Sequence, residues 1–392
     1  MFPSRIATLT GGDVFRNEYS LEFDGSNDYV DAGDLGVNAN TVSVWFKPNS
    51  TIDKDTSDQN LLNIGGADYE GIMFGSWTGV ITNEIISIGS ASARTGYADA
   101  SASISASWHH FVMSWDSGNS KYLFYLDGVE LTTTSGSGSH VGLIDANEVK
   151  IGTTTDNAKY FTGKIDEVAI WNTALTSSQV KTLYNNREPF NAKNIALSNL
   201  KGYWRMGDGV LDDFGSSIYG LISDNVTPSL GAELWDAGAD IFTSGTYAWE
   251  EFDDNGIANV SNELEITYED NSEGAKIGLR NSKDLNDDLT INQTYKLKID
   301  AYYSGGSSGS KLRLYGGGSG SSGNQYSDVL TTTKTTYTFY FVAGNATSCL
   351  IQLHSMGASN KVYVDNLSLK PVNGNPGLMT SMTASDIVTD TH

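Results

Sequence analysis

The sequence predicts an all-β protein: two tandem antiparallel β-sandwiches of jelly-roll type with one short helix. Three observations lead there. Short apolar–polar alternating runs recur along the whole chain, each closed by Gly, Asn, Asp or Ser. Only 18% of the residues are charged, while Gly numbers 42 and Pro 6, a balance suited to many short strands joined by polar turns. At 392 residues the chain is too long for one small domain and comfortable for two sandwiches.

The first series of strands reads "YSLEFDG", "TVSVWFKP", "NLLNIGG", "EGIMFGSW", "EIISIGS", "HHFVMSWD", "YLFYLDGVELTTT", "EVKIGTT" and "KIDEVAIW". Asp127-Gly128 is a hairpin turn, because both central residues of a type I′ turn need positive φ. In "KIDEVAIW" the apolar spacing from Ile165 to Val168 slips by one at Asp166-Glu167, the pattern of a β-bulge. One helix follows: Thr176 caps it, Gln179 completes a capping box, and Val180, Leu183 and Tyr184 form one apolar stripe. Trp45, Trp115 and Trp171, set in apolar strands, belong to the core.

A boundary falls near Pro228. Beyond it run "ELEITYED", "AKIGLRN", "TYKLKIDAYYS", "SKLRLYGGG", "TTYTFYFVAG", "SCLIQLHS" and "KVYVDNLSLKPV". The glycine–serine runs at 305–310 and 316–323 lie between strands and read as hairpin loops. The last strand repeats the earlier slip, now at Asp365-Asn366. The expected organisation is an arm (1–17), a first sandwich (18–190), a connecting segment packed on it (191–228), a second sandwich (229–373), and a tail (374–392) returning to the first sandwich or a neighbour.

Charge excludes one class of partner. The 24 basic and 47 acidic residues give −23, which repels phosphate backbones, so nucleic acid is not expected. Cys349, the single cysteine, excludes an internal disulfide and reads as a buried small hydrophobe. No run of eighteen apolar residues exists, so membrane insertion is not expected. The opening "MFPSRIATLTGGDVFRN" lacks the apolar region of a signal peptide.

"YSLEFDGSNDYVDAGD", "TVSVWFKP", "WHHFVMSWD", "YLFYLDGVEL" and "FTGKIDEVAIWNTALTSSQVKTLYN", in that order, resemble the laminin-G-like branch of the concanavalin A-like lectin/glucanase superfamily. The resemblance covers roughly residues 18 to 190. It implies a two-sheet jelly roll whose first and last strands pair, with glycan or protein ligands and frequent Ca²⁺. Residues 229–373 more weakly resemble the jelly-roll carbohydrate-binding modules that accompany polysaccharide-degrading domains. That likeness implies a structural Ca²⁺ at Asp365, with Glu233 as a partner. The arrangement, with "YWRMGDG" and "MTASDI" on either side of the second unit, resembles surface proteins encoded by marine bacteriophages.

No catalytic pair emerges. Glucanases of the superfamily place nucleophile and acid/base on one strand as E-x-D-x-E or E-x-D-x-x-E, with carboxyls about 5 Å apart for retention. "KIDEVAI" does not fit, and Glu263 and Glu265 share a face without the intervening Asp. His109 and His110 point to opposite faces of their strand and cannot act as a pair. Aromatic residues in turn-rich sequence suit sugar stacking, since ring faces meet the apolar faces of pyranoses while neighbouring polar groups bind hydroxyls. The candidates are Tyr69, Trp77, Tyr97 and Tyr160 in the first unit, and Trp249, Tyr315 and Tyr326 in the second; core packing is the competing role for each. Asp24, Asp28 and Asp31 in "DGSNDYVDAGD" supply oxygens for Ca²⁺, although the same spacing suits a turn stitched by Asx hydrogen bonds.

The leading expectation is therefore a non-enzymatic virion surface protein, a fibre, appendage or decoration, that binds host-cell glycans and contacts other virion proteins as a homo-oligomer. Lysis would deliver it outside the cell. The alternatives are a purely structural capsid decoration and a polysaccharide-active enzyme or its binding module.

Overall fold

The computed structural model describes residues 15, 17–52, 59–66, 71–74, 86–90, 93–98, 104–135, 143–208, 210–211, 221–223, 229–236, 241–251, 256–267, 275–280, 282–291, 293–305, 309–315, 324–344, 349–354, 361–373, 377–382 and 384–389. Antiparallel strands predominate, and among the described residues the one α-helix is Ser177–Tyr184. The all-β expectation holds, with two pairs of sheets and a two-stranded sheet of Asn38–Ala39 and Ile144–Asp145.

The first pair encloses a core made by alternation. In an eight-stranded sheet the order runs Val129–Glu130, Lys121–Leu126, His109–Asp116, Thr41–Pro48, Thr162–Trp171, Tyr19–Asp24 and Ile387–Thr389, with Leu200–Trp204 also on Thr162–Trp171. Leu21, Phe23, Val42, Val44, Phe46, Phe111 and Met113 point inward from it and are almost fully buried. They meet Val30, Leu62, Ile72 and Ile151 from a ten-stranded sheet in which Gln59–Asn63, Val149–Ile151 and Tyr29–Gly33 are neighbours. Gly377–Thr380 pairs with Tyr29–Gly33, and Ile387–Thr389 with Tyr19–Asp24, so residues beyond the second sandwich extend both sheets of the first.

The outer face of the eight-stranded sheet is sealed. Val112, Tyr125, Ala169 and Trp171 point outward and are covered by Leu175, Val180, Leu183, Ile195 and Leu200. Trp171 Nε1 donates to the Ile195 carbonyl at 2.8 Å, and Trp45 stacks on His110 and Tyr184. The helix begins with the capping box read from the sequence: Thr176 accepts from the Gln179 N–H, and the Gln179 side chain accepts from the Thr176 N–H. Asp127 and Gly128 both have positive φ, as a type I′ hairpin requires.

Both slips in the closing strands are bulges. Pairing of Thr162–Trp171 with Thr41–Pro48 shifts between Asp166 and Ala169, and Glu167 adopts φ 47°. One edge of Thr162–Trp171 is served by two successive partners: Tyr19–Asp24 pairs with residues 162–165, and Leu200–Trp204 with 168–171. Asp166 and Glu167 sit in the gap between them, both buried. Asn17 Nδ2 donates to Asp166 at 2.7 Å and to Glu167 at 3.1 Å. Arg205 Nε donates to Glu167 at 2.9 Å, the Tyr203 hydroxyl donates to its other oxygen, and Arg205 lies over the Phe15 ring. The Asp208 carboxylate accepts the N–H groups of Glu18 and Tyr19. Gly207, at φ 123°, fits where a Cβ would fall within 3 Å of Ile387 and Tyr19.

The second pair of sheets follows the same plan. Gly256–Val260, Glu263–Thr267, Lys361–Asn373, Thr294–Ser304 and Thr335–Val342 form one sheet in that order, with Ser229–Leu230 also on Lys361–Asn373. Lys276–Gly278, Leu350–His354, Lys311–Tyr315 and Gln325–Tyr326 form the other. Leu264, Leu297, Ile299, Leu312, Leu314, Phe339, Ile351, Leu353 and Val364 fill the space between. Cys349 is buried there and its thiol is pushed up to about 11 by desolvation, in keeping with an inert core residue. Asn366 has φ 48°, and pairing with Thr294–Ser304 shifts between Lys298 and Asp300, the second bulge.

Arg205→Met removes the cation from a buried pair and leaves the carboxylates uncompensated. It is expected to destabilise the first sandwich by about 3–5 kcal/mol, read in denaturant unfolding followed by tryptophan fluorescence. A loss below about 1 kcal/mol would show that the pair does not hold the gap.

Candidate functional site

Among the described residues, the open face of the four-stranded sheet gathers the groups best suited to a ligand. Leu312, Leu314, Ile351 and Leu353 point into the core, so their strand neighbours Lys311, Arg313, Tyr315, Leu350, Gln352 and His354 point out. Register then sets these side chains in rows across the strands. One row is Lys276, Gln352, Arg313 and Tyr326; the next carries Leu350 opposite Tyr315, with His354 opposite Lys311 on the other side.

The rows are tied by specific contacts. An Arg313 Nη2 donates to Gln352 Oε1, and Gln352 is buried at the floor of the face. The Arg313 guanidinium lies 5.5 Å from the Tyr315 ring centroid, and the Tyr326 and His354 rings are 5.2 Å apart. Tyr315 is 46% exposed, the most open of these aromatics. The result is two aromatic rings flanking an amide and a guanidinium, an amphipathic surface able to stack on a ring and donate to its oxygens.

The outer face of the six-stranded sheet differs, because its polar groups bind one another. Tyr302 and Tyr363 stack with centroids 4.8 Å apart, and their hydroxyls donate to Glu263 and Glu265, each at 2.7 Å. Lys334 bridges Glu263 and Asp365, and Lys361 pairs with Glu265. Burial and the Glu263 carboxylate push the Tyr302 phenol up to about 12. Glu263 and Glu265 are thus each held by a tyrosine and a lysine.

The other sequence candidates fall in several places. Trp249 requires correction: it is 5% exposed and packs beside Phe242, so its ring faces meet the core and not a ligand. Tyr160 is half-buried near Asp156 and Asp24, whose charges add to burial in raising its phenol. Tyr69 and Trp77 lie outside the described residues, as does the side chain of Tyr97, whose backbone pairs with Ser87 and Thr134. Arg313, Gln352 and His354 did not stand out in the sequence; the alternation of "SKLRLYGGG" and "SCLIQLHS" was the signal that sets them outward.

The acidic candidates serve the backbone. Asp24 accepts from the N–H groups of Ser26 and Asn27, Asp28 from that of Asp24, and Asp31 from that of Gly33, the Asx pattern. Glu233 accepts from the Leu369 N–H and the Ser368 hydroxyl, each at 2.7 Å, while Asp365 pairs with Lys334. Glu233 and Asp365 therefore have separate partners. Among the described residues no three His, Cys, Asp or Glu side chains converge to hold a metal. His109 and His110 do face opposite ways, toward Asp127 and Ser43 respectively.

Residues 24–181 match the family described as the concanavalin A-like lectin/glucanases superfamily, of laminin-G type, in keeping with the sandwich these residues form. Over 166 residues, 42% of this chain, the sequence is 27% identical to the adhesion G-protein coupled receptor V1 of Danio rerio; the match spans 2% of that receptor. Among solved structures, a putative carbohydrate binding protein from Bacteroides ovatus is similar at 18% identity and a TM-score of 0.38, covering 55% of this chain and 60% of that one. The Ruminococcus gnavus IT-sialidase CBM40, bound to α2,3-sialyllactose, is similar at 14% identity and a TM-score of 0.31, covering 42% of this chain and 96% of that one.

Burial, with the charges of Asp24 and Asp386, pushes Asp28 up to about 6. A carboxyl raised on folding contributes stability below its unfolded value, near pH 4, and loses it as pH climbs through about 6. Asp28→Asn keeps the acceptor for the Asp24 N–H and does not ionise. It is expected to be more stable than the wild type at pH 8, by about 1–2 kcal/mol after solvent screening, with the difference closing near pH 4. Parallel pH–stability curves would refute the shift.

Proposed function

We propose that the protein is a non-enzymatic glycan-binding protein that recognises carbohydrate on the outer face of the four-stranded sheet. The observation that carries this reading is the placement of Tyr315 and Tyr326 on one open face with Arg313, Gln352 and His354 between and beside them. Aromatic rings supply stacking area at low entropic cost, and the amide, guanidinium and imidazole supply the directional bonds that hydroxyls require. The lectin-like match of residues 24–181 supports a carbohydrate setting. The engagement of Glu263 and Glu265 by Tyr302, Tyr363 and lysines favours a structural use of those carboxylates over hydrolysis.

The setting proposed for this activity is the exterior of a virus particle, where the protein contacts other virion proteins and acts as a homo-oligomer. The support is the resemblance in arrangement to marine bacteriophage surface proteins. Immunogold labelling of purified particles tests it, and label confined to cell debris would refute it. Ca²⁺ is proposed on the family resemblance alone, at the Asp24–Asp28 turn, whose carboxylates already accept backbone N–H groups, and not at Asp365, which is paired with Lys334. Added CaCl₂ would raise Tm in the wild type and not in Asp28→Asn. No change in either, with EDTA also without effect, removes calcium from the reading.

Tyr315→Ala and Tyr326→Ala are each expected to weaken glycan binding about tenfold, the scale of one lost stacking contact. Tm should stay close to that of the wild type. Affinity electrophoresis and a glycan array measure it; undiminished binding in the double variant would move the site elsewhere.

A further inference from the structure

The first sandwich is assembled from two stretches of chain that lie on either side of the second. Leu221–Ser223 pairs with Gly377–Thr380, Leu221 opposite Leu378 and Ile222 opposite Gly377, and Gly377–Thr380 pairs in turn with Tyr29–Gly33. Met379 and Met382 are fully buried in the first core, and Ile387–Thr389 closes on Tyr19–Asp24. Two neighbouring strands of one sheet are thus separated along the chain by about 150 residues, and closing an unstructured loop of that length is far less probable than closing a hairpin.

The second sandwich removes that cost, because its entering segment lies along its departing strand. Ser229 pairs with Asn373 and Leu230 with Val372; the Gly231 N–H donates to the Pro371 carbonyl at 2.8 Å and the Leu234 N–H to the Leu369 carbonyl at 2.9 Å. Glu233 adds its bonds to Leu369 and Ser368 on the same strand. A two-stranded seam this short does not persist alone in water. What holds it is the strand on its other side, Thr294–Ser304, with Leu297 opposite Leu369 and Tyr295 opposite Pro371. The seam therefore depends on the folded second sandwich. Where the chain crosses back, Val372 and Tyr340 of the second sandwich pack with Leu378 of the first.

We infer that the second sandwich is a clasp for the first: while folded, it holds side by side the two ends of chain on which the first sandwich closes. The dependence runs one way. The second sandwich is one continuous stretch, so opening the first leaves it no long loop to close, whereas the first is discontinuous and loses its pre-joined ends when the second unfolds. Closure becomes less probable as the 3/2 power of loop length, so about 150 unstructured residues in place of roughly ten shift the folding equilibrium of the first sandwich by about fiftyfold. By linkage, anything that binds the folded second sandwich keeps the clasp shut and so steadies the first as well. The clasp works whatever the second sandwich binds.

Hydrogen–deuterium exchange of the full chain in graded urea, read by mass spectrometry on peptides from each sandwich, tests the clasp. Ile299→Ala, and then Leu353→Ala with it, are introduced into the second core until its amides open at lower urea than those of the first. From that point, opening of the first sandwich at a fixed urea concentration is expected to become about fiftyfold more frequent. Val44→Ala, in the first core, is expected to loosen the first sandwich alone. Ser229→Cys with Asn373→Cys supplies the control: these positions are Cα partners, about 4.5–5.5 Å apart in an antiparallel pair, within the reach of a disulfide. Oxidised, they join the ends without a folded clasp and should return the first sandwich of the Ile299→Ala, Leu353→Ala chain to its wild-type resistance, and reduction should undo the repair. An unchanged first sandwich after the second has opened would overturn the inference. So would a loss that the disulfide does not repair, or a Val44→Ala effect felt equally in the second sandwich, since either would trace the coupling to the Tyr340–Leu378 packing and not to the joined ends.

Discussion

The closing strand of each sandwich has to change partners along one edge, and the fold depends on how that gap is filled. Thr162–Trp171 pairs first with Tyr19–Asp24 and then with Leu200–Trp204. Between them no strand continues the ladder, and a buried backbone or side-chain group left without a partner there costs about 1–3 kcal/mol. Asp166 and Glu167 occupy the gap and gather Asn17, Tyr203 and Arg205 into it. Burial raises both carboxyls, Asp166 the more strongly because the Glu167 charge adds to desolvation, whereas Arg205 and Tyr203 pull Glu167 back. Both carboxyls are thus held above their ordinary range by the dry site, with Arg205 and Tyr203 opposing that shift at Glu167. Lys361–Asn373 meets the same demand between Glu263–Thr267 and Ser229–Leu230, and there Glu233 supplies the oxygens that Leu369 N–H and Ser368 need.

This explains which parts of the molecule were legible in the sequence. The bulges were, because a one-residue slip in a period-2 pattern is local information: Ile165 and Val168 both face the core only if the chain gains a residue between them. The capping box and the Asp127-Gly128 turn were legible for the same reason. What fills the gap was not, since Asn17 and Arg205 are remote from Glu167 in the chain, and an acidic residue looks alike whether it awaits calcium, an arginine or a backbone N–H. Trp249 shows the same limit: turn-rich flanks placed it in a loop, but only the packing of Phe242 shows that its ring is enclosed. Tyr315 and Tyr326 were recognisable as aromatic candidates, yet the relation of Tyr326 to Arg313 is a matter of register between two strands.

The location of the candidate face follows from how each outward surface is completed. A sheet that buries one side still exposes another, and the outer side must be covered, self-satisfied or left for solvent and ligands. The eight-stranded sheet is covered by the helix and the segment after it, with Trp171 and Trp45 sealed beneath. The six-stranded sheet is self-satisfied, its tyrosines, carboxylates and lysines bonded in cross-strand groups.

The four-stranded sheet presents rings, an amide and cations on its outer side, with Arg313 bound to Gln352. No helix lies on it among the described residues, and its rings, amide and cations project from alternate positions of strands whose other positions fill the core. Because Leu312, Leu314, Ile351 and Leu353 are fixed by packing, the outward residues inherit a rigid spacing, which the Arg313–Gln352 bond and the Tyr326–His354 contact tie further. A binding surface assembled in this way loses little entropy when a ligand arrives, which is the physical advantage of placing recognition on strands and not on loops.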